Sequence, residues 1–180
     1  MAQRNSSLLD LIFKKLTAPN PEIATTLDRW ENDPLLIPLM RPNQDKEELE
    51  RQTAVTVDSL TKRLEHQSIY LIYADGQLVG EMNFQIDPGH LYKKEAGTAW
   101  IGIGIGEPTA RGKGVGARAM QYLEKQIQVQ GLARIELGVF EFNDKAIKLY
   151  KIRAIRRSLT LIISLTGKAE CGKIYAWKNT

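Results

Sequence analysis

The order of its predicted elements places this 180-residue chain in the α/β class, as one domain with a mixed central sheet and helices on both faces. Three observations carry that reading. SIYLIYAD and QLVGEMNFQID, at 68–75 and 77–87, are apolar, β-branched runs flanking Asp75-Gly76, whose residues tolerate positive φ, so they predict a hairpin. From residue 98 onward the pattern reads strand, helix, strand, helix. A content of 43% hydrophobic and 26% charged residues suits a single soluble core and disfavours disordered, collagen-like or coiled-coil chains.

Taken in order, IFKKLT (12–17) predicts a short strand, and Pro21, at a first helical position, opens PEIATTLDRWEND as a helix. Residues 45–67 are polar and helix-permissive, with Leu49, Val55, Leu60 and Leu64 at roughly helical spacing, and predict one or two helices. After the hairpin, PGHLYKKEAG (88–97) reads as a polar loop. TAWIGIGIGEPT (98–109) is a strand in which glycine alternates with large apolar residues, leaving one face bare. TARGKGVGARAMQYLEKQIQVQG then predicts a helix of about five turns through Val115, Met120, Leu123 and Ile127, stopped by Gly131. RIELGVFEF is a strand, and Asn143-Asp144 caps a helix through Ala146, Ile147, Leu149 and Tyr150. Internal repeats and low-complexity stretches are absent.

A single cysteine, Cys171, cannot form an intramolecular disulfide, and His66 and His90, the two histidines, are not at metal-ligand spacing. These features predict a reducing, cytoplasmic setting and no metal. The first twenty residues lack the apolar core of a secretion signal, and no run of about 18 apolar residues predicts a membrane span. His66, between Glu65 and Gln67, reads as a solvated helix end. The net charge of +4 is unevenly distributed: residues 151–180 hold seven basic residues and one acidic, a net +6, which leaves 18 basic and 20 acidic residues, a net −2, in 1–150. Any basic face for nucleic acid would therefore have to come from the last thirty residues.

Arg111-Gly112-Lys113-Gly114-Val115-Gly116 lies between a predicted strand and a predicted helix. Backbone N–H groups converging at a helix N-terminus favour an anion such as phosphate or pyrophosphate, and glycines let the anion touch the backbone. The bland alternative is a tight turn. A Walker loop fails, because position 107 is Glu and position 114 is Gly. A dinucleotide fingerprint can be laid on Gly114, Gly116 and Ala119 with Glu136 as the ribose carboxylate, but its glycines fall inside the helix pattern and too little chain follows for a doubly wound sheet.

The third reading uses more of the chain. Arg111, Gly114 and Gly116, as Arg-x-x-Gly-x-Gly after a strand and a Pro-containing turn, resemble the acyl-coenzyme A pyrophosphate loop of the GNAT family of N-acetyltransferases. Asn143-x-x-Ala146-x-x-Leu149-Tyr150 resembles the family's next motif, in which an Asn starts a helix whose Tyr points at the thioester sulfur. Upstream, Trp30-Glu31-Asn32-Asp33-Pro34 is similar to a stretch in the ribosomal-protein and aminoglycoside acetyltransferase branch. The resemblance covers residues 10–150 in element order and implies the acyl-CoA N-acyltransferase fold, with a mostly antiparallel sheet and a V-shaped opening between two splayed parallel strands.

It also implies acetyl-CoA as cosubstrate and an amine as acceptor. Gly104, Ile105 and Gly106 would line pantetheine, Arg111, Gly112, Lys113, Gly114, Val115 and Gly116 would hold pyrophosphate, and Asn143 would contact the cofactor arm. Tyr150 would protonate the departing thiolate. The amine must be neutral to attack, so a base is needed. Glu81, Glu107 and Glu141 are the candidates, and Glu81 shares a strand face with Val79 and Asn83. The bland readings are a packed aromatic for Tyr150 and solvated carboxylates for the three acids.

After Tyr150 the family's Gly-aromatic turn is missing from KIRAIRRSLTLIISLTGKAECGKIYAWKNT, at the point where the charge jumps. Codon degeneracy lets the neighbouring frame encode Lys-Asn-Ser-Gly-Tyr directly after Leu149-Tyr150, and loss of one A from a run yields Lys151-Ile152-Arg153-Ala154. We therefore expect a shifted frame over 151–180; read as written, LTLIISL still supplies one strand. Two rival functions stand beside the acetyltransferase: a non-catalytic acyl-CoA-binding domain, and a nucleic-acid module on the basic tail, against which the scarcity of aromatics beyond Tyr175 and Trp177 argues. The acceptor class stays open between a small amine, a polyamine, an aminoglycoside and a protein N-terminus. An incomplete sheet would leave an edge for pairing into a homodimer.

Overall fold

Asp75 and Gly76 take φ of 49° and 80°, so the chain reverses within two residues, and β2 (Ser68–Ala74) pairs antiparallel with β3 (Gln77–Ile86). The computed structural model describes residues 9–40, 50–154, 160–166 and 174–177. Around the hairpin, β1 (Leu11–Lys15) pairs antiparallel with β2, and β4 (Thr98–Ile105) antiparallel with β3. β5 (Arg134–Phe140) runs parallel to β4, β6 (Thr160–Thr166) parallel to β5, and β7 (Ile174–Trp177) antiparallel to β6. The seven strands lie in chain order in one mixed, mostly antiparallel sheet, as the resemblance implies. As written, LTLIISL supplies β6, and its ladder with β5 runs from Arg134–Thr160 to Phe140–Thr166.

Helices cover both faces. On one side lie α1 (Pro21–Glu31), the short α2 (Ile37–Met40) and α3 (Val57–Leu64). Asn20 caps α1, its side chain accepting from the Ile23 N–H at 2.9 Å, and Pro21 occupies the first turn where no N–H is needed. Ala24, Leu27 and Trp30 form the buried stripe of α1, against Leu36 and Leu60. Leu16, Ile69 and Leu71 form the adjoining cluster on this side. The helix was expected to run to Asp33 but ends at Glu31: Asn32 leaves helical geometry at φ −108° and ψ 8°, its side-chain amide donating back to the Asp28 carbonyl at 2.9 Å and across to the Thr53 carbonyl at 2.8 Å. Within the expected 45–67 helical stretch, α3 is present; residues 45–49 lie outside the described residues.

On the other side, α4 (Val115–Val129) and α5 (Asp144–Ala154) cover the main core. Val115, Ala119, Met120, Leu123 and Ile127 of α4 pack on Ile72, Met82, Ile101, Ile135 and Leu137 of the sheet. The expected five-turn helix is 15 residues long and starts only at Val115, because Gly112 and Gly114 take φ of +74° and +78°, outside the right-handed helix. Gly131, at φ +76°, ends it as the sequence predicts. Among the described residues no helix is long and apolar enough to cross a membrane, and no cluster of three or more His, Cys, Asp or Glu could hold a metal ion.

Candidate active site

β4 and β5 pair only at their beginnings, where Thr98, Ala99 and Trp100 meet Arg134, Ile135 and Glu136. Beyond Trp100, β4 continues its ladder with β3 as far as Ile105–Gly80, and β5 continues with β6 as far as Phe140–Thr166. The two parallel strands thus part into a wedge. Gly104 and Ile105 lie at its wide end, where the main-chain groups of β4 that turn toward β5 are left outside the sheet ladder. Pantetheine amides need such an unpaired strand edge, so the opening expected from the resemblance is present.

The glycine loop joins that open end to α4. Gly114 caps the helix in the left-handed region and has no side chain of its own to cap it, and the first turn carries no acid. A Cβ built on Gly112 or Gly114 meets nothing within 4 Å, and residues 112–114 are exposed. The exposed backbone of 112–114 at a helix's positive end suits an anion, which fits the phosphates of an acyl-CoA. Val115 is buried and fixes the helix start on the core, while Gly116 lets Leu149 of α5 approach: a Cβ there would stand 3.3 Å from Leu149 Cδ2. Arg111 turns its guanidinium back, donating from Nε to the Ile105 carbonyl at 2.9 Å and from Nη2 to the Gly106 carbonyl at 2.6 Å.

Tyr150 is buried at 9% exposure among the apolar residues between α4 and α5, and desolvation pushes its pKa up to about 12. The phenol is consequently protonated throughout the neutral range, as a proton donor must be. In the unfolded chain it ionises near 10, so the unfolded state loses its proton first and stability falls as pH rises from 10 to 12, by roughly 3 kcal/mol over that window. Urea midpoints measured from pH 9 to 12 should show this decline, and Tyr150→Phe should make it shallower. Asn143 is committed to its helix, Oδ1 accepting from the Ala146 N–H at 3.2 Å, so only its amide nitrogen is left to face a cofactor. Glu141 stands on the exposed turn after β5.

The other two acids have firm partners. Glu81 lies opposite Gly104 in the β3–β4 register, its side chain 14% exposed, held by Arg63 Nη2 at 2.5 Å and by Asn83 Nδ2 at 3.1 Å. Its face of the sheet is the bare one: Gly104 looks up at Met40, whose Cε is 3.1 Å from where a Cβ would be, and Gly102 looks at the Asn83 amide. Glu107 is ion-paired with Arg29 and accepts from the Trp30 indole N–H at 3.0 Å. These donors hold its carboxyl below the usual carboxylate range, Arg29 contributing most, the opposite of what a general base working near neutral pH requires.

Two contributors, Arg63 and Met40, escaped the sequence reading, and a third, Glu136, takes a different role from the one weighed for it. Arg63 lies 18 residues from Glu81, and only the packing of α3 on β3 brings them together. Met40 covers Gly104 from a short helix with no periodic signal. Glu136 is fully buried and accepts from the N–H groups of Tyr92 and Lys93 at 2.9 and 3.0 Å, which anchors the 88–97 loop. The dinucleotide alternative gave Glu136 a ribose; the structure occupies it with that loop. His66 is exposed beside Glu65, as expected of a solvated helix end.

Comparison with known proteins agrees with this fold. A family model described as the acetyltransferase (GNAT) family matches residues 25–154. A search of curated proteins found no match. Among solved structures, the chain is similar to a domain from Methanocaldococcus jannaschii DSM 2661, at 17% identity and TM-score 0.60, covering 83% of this chain and 90% of that one. It is similar to the aminoglycoside acetyltransferase AAC(6')-Ib in complex with coenzyme A, at 16% identity and TM-score 0.61, covering 84% and 87%. An N-acetyltransferase from Staphylococcus aureus Mu50 matches at 18% identity and TM-score 0.57, covering 93% and 95%.

Proposed function

Since the chain belongs to the GNAT acetyltransferase family, we propose that it transfers an acetyl group from acetyl-CoA to a primary amine by direct attack. The observation that carries the reading is the parting of β4 from β5 after Trp100, with an exposed, glycine-lined helix N-terminus at the open end. Acetyl-CoA supplies an activated acyl thioester. Gly104, Ile105 and Gly106 line the pantetheine arm, the main chain of 111–116 holds the pyrophosphate, and Asn143 keeps α5 in place while offering its amide to the arm. Tyr150 gives its proton to the thiolate that leaves. Glu81 takes the amine's proton, directly or through one water, from the bare face over Gly104. Glu107, held ionised by Arg29 and Trp30, is assigned no proton transfer.

Three structures of one neighbour by fold, AAC(6')-Ib, are complexes with aminoglycosides, kanamycin and ribostamycin among them. For this chain the acceptor is proposed at a coarser level, as an amine-bearing small molecule or a protein N-terminus. Release of coenzyme A thiol, followed with a chromogenic disulfide against a panel of small amines, polyamines, aminoglycosides and peptides, tests the reading. Amine-dependent release supports it. Tight coenzyme A binding with no release for any amine would favour the non-catalytic acyl-CoA-binding domain instead.

We also infer that residues 151–180 are translated in a shifted frame. The missing Gly-aromatic pair and the net +6 of this segment support that reading. Resequencing codons 148–155 tests it: one further adenine in the run at Lys151 supports the shift, and the codons as translated overturn it.

A further inference from the structure

We propose that Trp30 and Glu107, with Arg29, form a positioning clamp on the end of β4 that sets coenzyme A affinity, and that this is the task of Glu107. The inference rests on the acyl-CoA reading of the wedge. Where β4 leaves β5, its last peptide units keep a neighbour only on the β3 side, through the Ile105–Gly80 pair and the Glu107 N–H to the Val79 carbonyl at 3.1 Å. A strand end with one flank free is a poor template for a bound chain, unless something else fixes its peptide planes.

Two groups do so. The Trp30 ring lies directly on Gly106: a Cβ at that glycine would stand 2.1 Å from ring carbons Cδ2 and Cε2, so the indole touches bare backbone. Arg111 meanwhile holds the Ile105 and Gly106 carbonyls. The ring is locked in turn, since its N–H donates to Glu107 Oε1, and Arg29 closes the set by pairing with the same oxygen. Trp30 is only 4% exposed, whereas Arg29 is 60% exposed on its side chain. The residue after Gly106 is thereby tied to the residue that packs on Gly106. The same turn of chain is tied to the segment leading into α3, because Asp28 Oδ1 accepts from the Val55 N–H at 2.8 Å and Asn32 Nδ2 donates to the Thr53 carbonyl at 2.8 Å. Trp30 and Asn32 of the upstream motif thus read as a brace between that segment and the cofactor strand.

The test is calorimetric titration of the full chain with coenzyme A, beside steady-state kinetics, for wild type, Glu107→Gln, Trp30→Phe and Arg29→Gln. Gln still accepts from Trp30 but loses the charge, so Glu107→Gln should weaken coenzyme A binding about tenfold, the weight of one charge-assisted hydrogen bond. KM for acetyl-CoA should rise in step, kcat should stay within about twofold, and the pH-rate profile should keep its shape. Trp30→Phe keeps the ring and loses the N–H, and should weaken binding in the same direction. Arg29→Gln, at an exposed position that leaves the core untouched, should do likewise if the larger changes cost folding. Wild-type affinity in all three variants overturns the clamp. A collapse of kcat in Glu107→Gln with affinity unchanged overturns it in favour of a base. A folded wild type that binds no coenzyme A overturns the acyl-CoA reading itself, and the clamp with it.

Discussion

Tyr150→Phe is expected to lower kcat by about 10²-fold, the usual worth of a positioned general acid, while coenzyme A affinity stays within about twofold of wild type. The reasoning is local. The ring is buried between α4 and α5, and Phe fills the same volume, so the site keeps its shape. What disappears is one hydroxyl whose burial keeps it protonated far above neutral pH. A thiolate leaving without a proton donor is the step that should slow, and it does so without touching ground-state binding. Single-turnover quenched-flow with a reactive amine reads this directly. A variant with wild-type kcat would return Tyr150 to the role of a core aromatic.

Gly106→Ala should be among the most damaging methyl additions at the described glycines. It would place Cβ 2.1 Å from the Trp30 ring, in a layer where the ring has no free side to move into, since Leu27 and Leu36 are buried in the same cluster. Overpacking of this kind costs about 1–3 kcal/mol, and the loss should be visible as a lower urea midpoint at unchanged slope. The cost should be strongly coupled to Trp30. In a Trp30→Ala background, already destabilised by about 3–5 kcal/mol, adding Gly106→Ala should cost little more. Additive effects in that cycle would show that the glycine answers to some other constraint.

Much of this was legible in the sequence, for reasons that differ by element. Asp75-Gly76 determines a turn within four residues, and Asn20-Pro21 a helix start, so both follow from local chemistry alone. The glycine loop was legible as an anion cradle because its glycines are conformationally demanding: Gly112 and Gly114 sit at positive φ where a Cβ would strain the backbone. Those same glycines misled the helix boundary, since the apolar spacing runs on through residues that cannot be helical.

The wedge itself was visible only through family resemblance, because nothing in TAWIGIGI says which neighbour the strand will lose. The alternating glycines told that one face is bare without telling what lies over it, which proves to be Met40 at Gly104, Asn83 at Gly102 and Trp30 at Gly106. Glu107 shows the limit most clearly. Beside the loop it has the sequence context of a base, and its partners Arg29 and Trp30 stand more than seventy residues away. Only folding decides whether a carboxylate meets a guanidinium or a substrate.

The central claim, that the opening between β4 and β5 is an acyl-CoA site, is tested most directly by thermal unfolding of the full chain with acetyl-CoA and, separately, with NAD. At about 100 times its dissociation constant, acetyl-CoA should add roughly 2.7 kcal/mol to stability and raise the midpoint, while NAD at the same concentration leaves it unmoved. A folded chain whose midpoint ignores acetyl-CoA, or follows NAD equally, would contradict the claim.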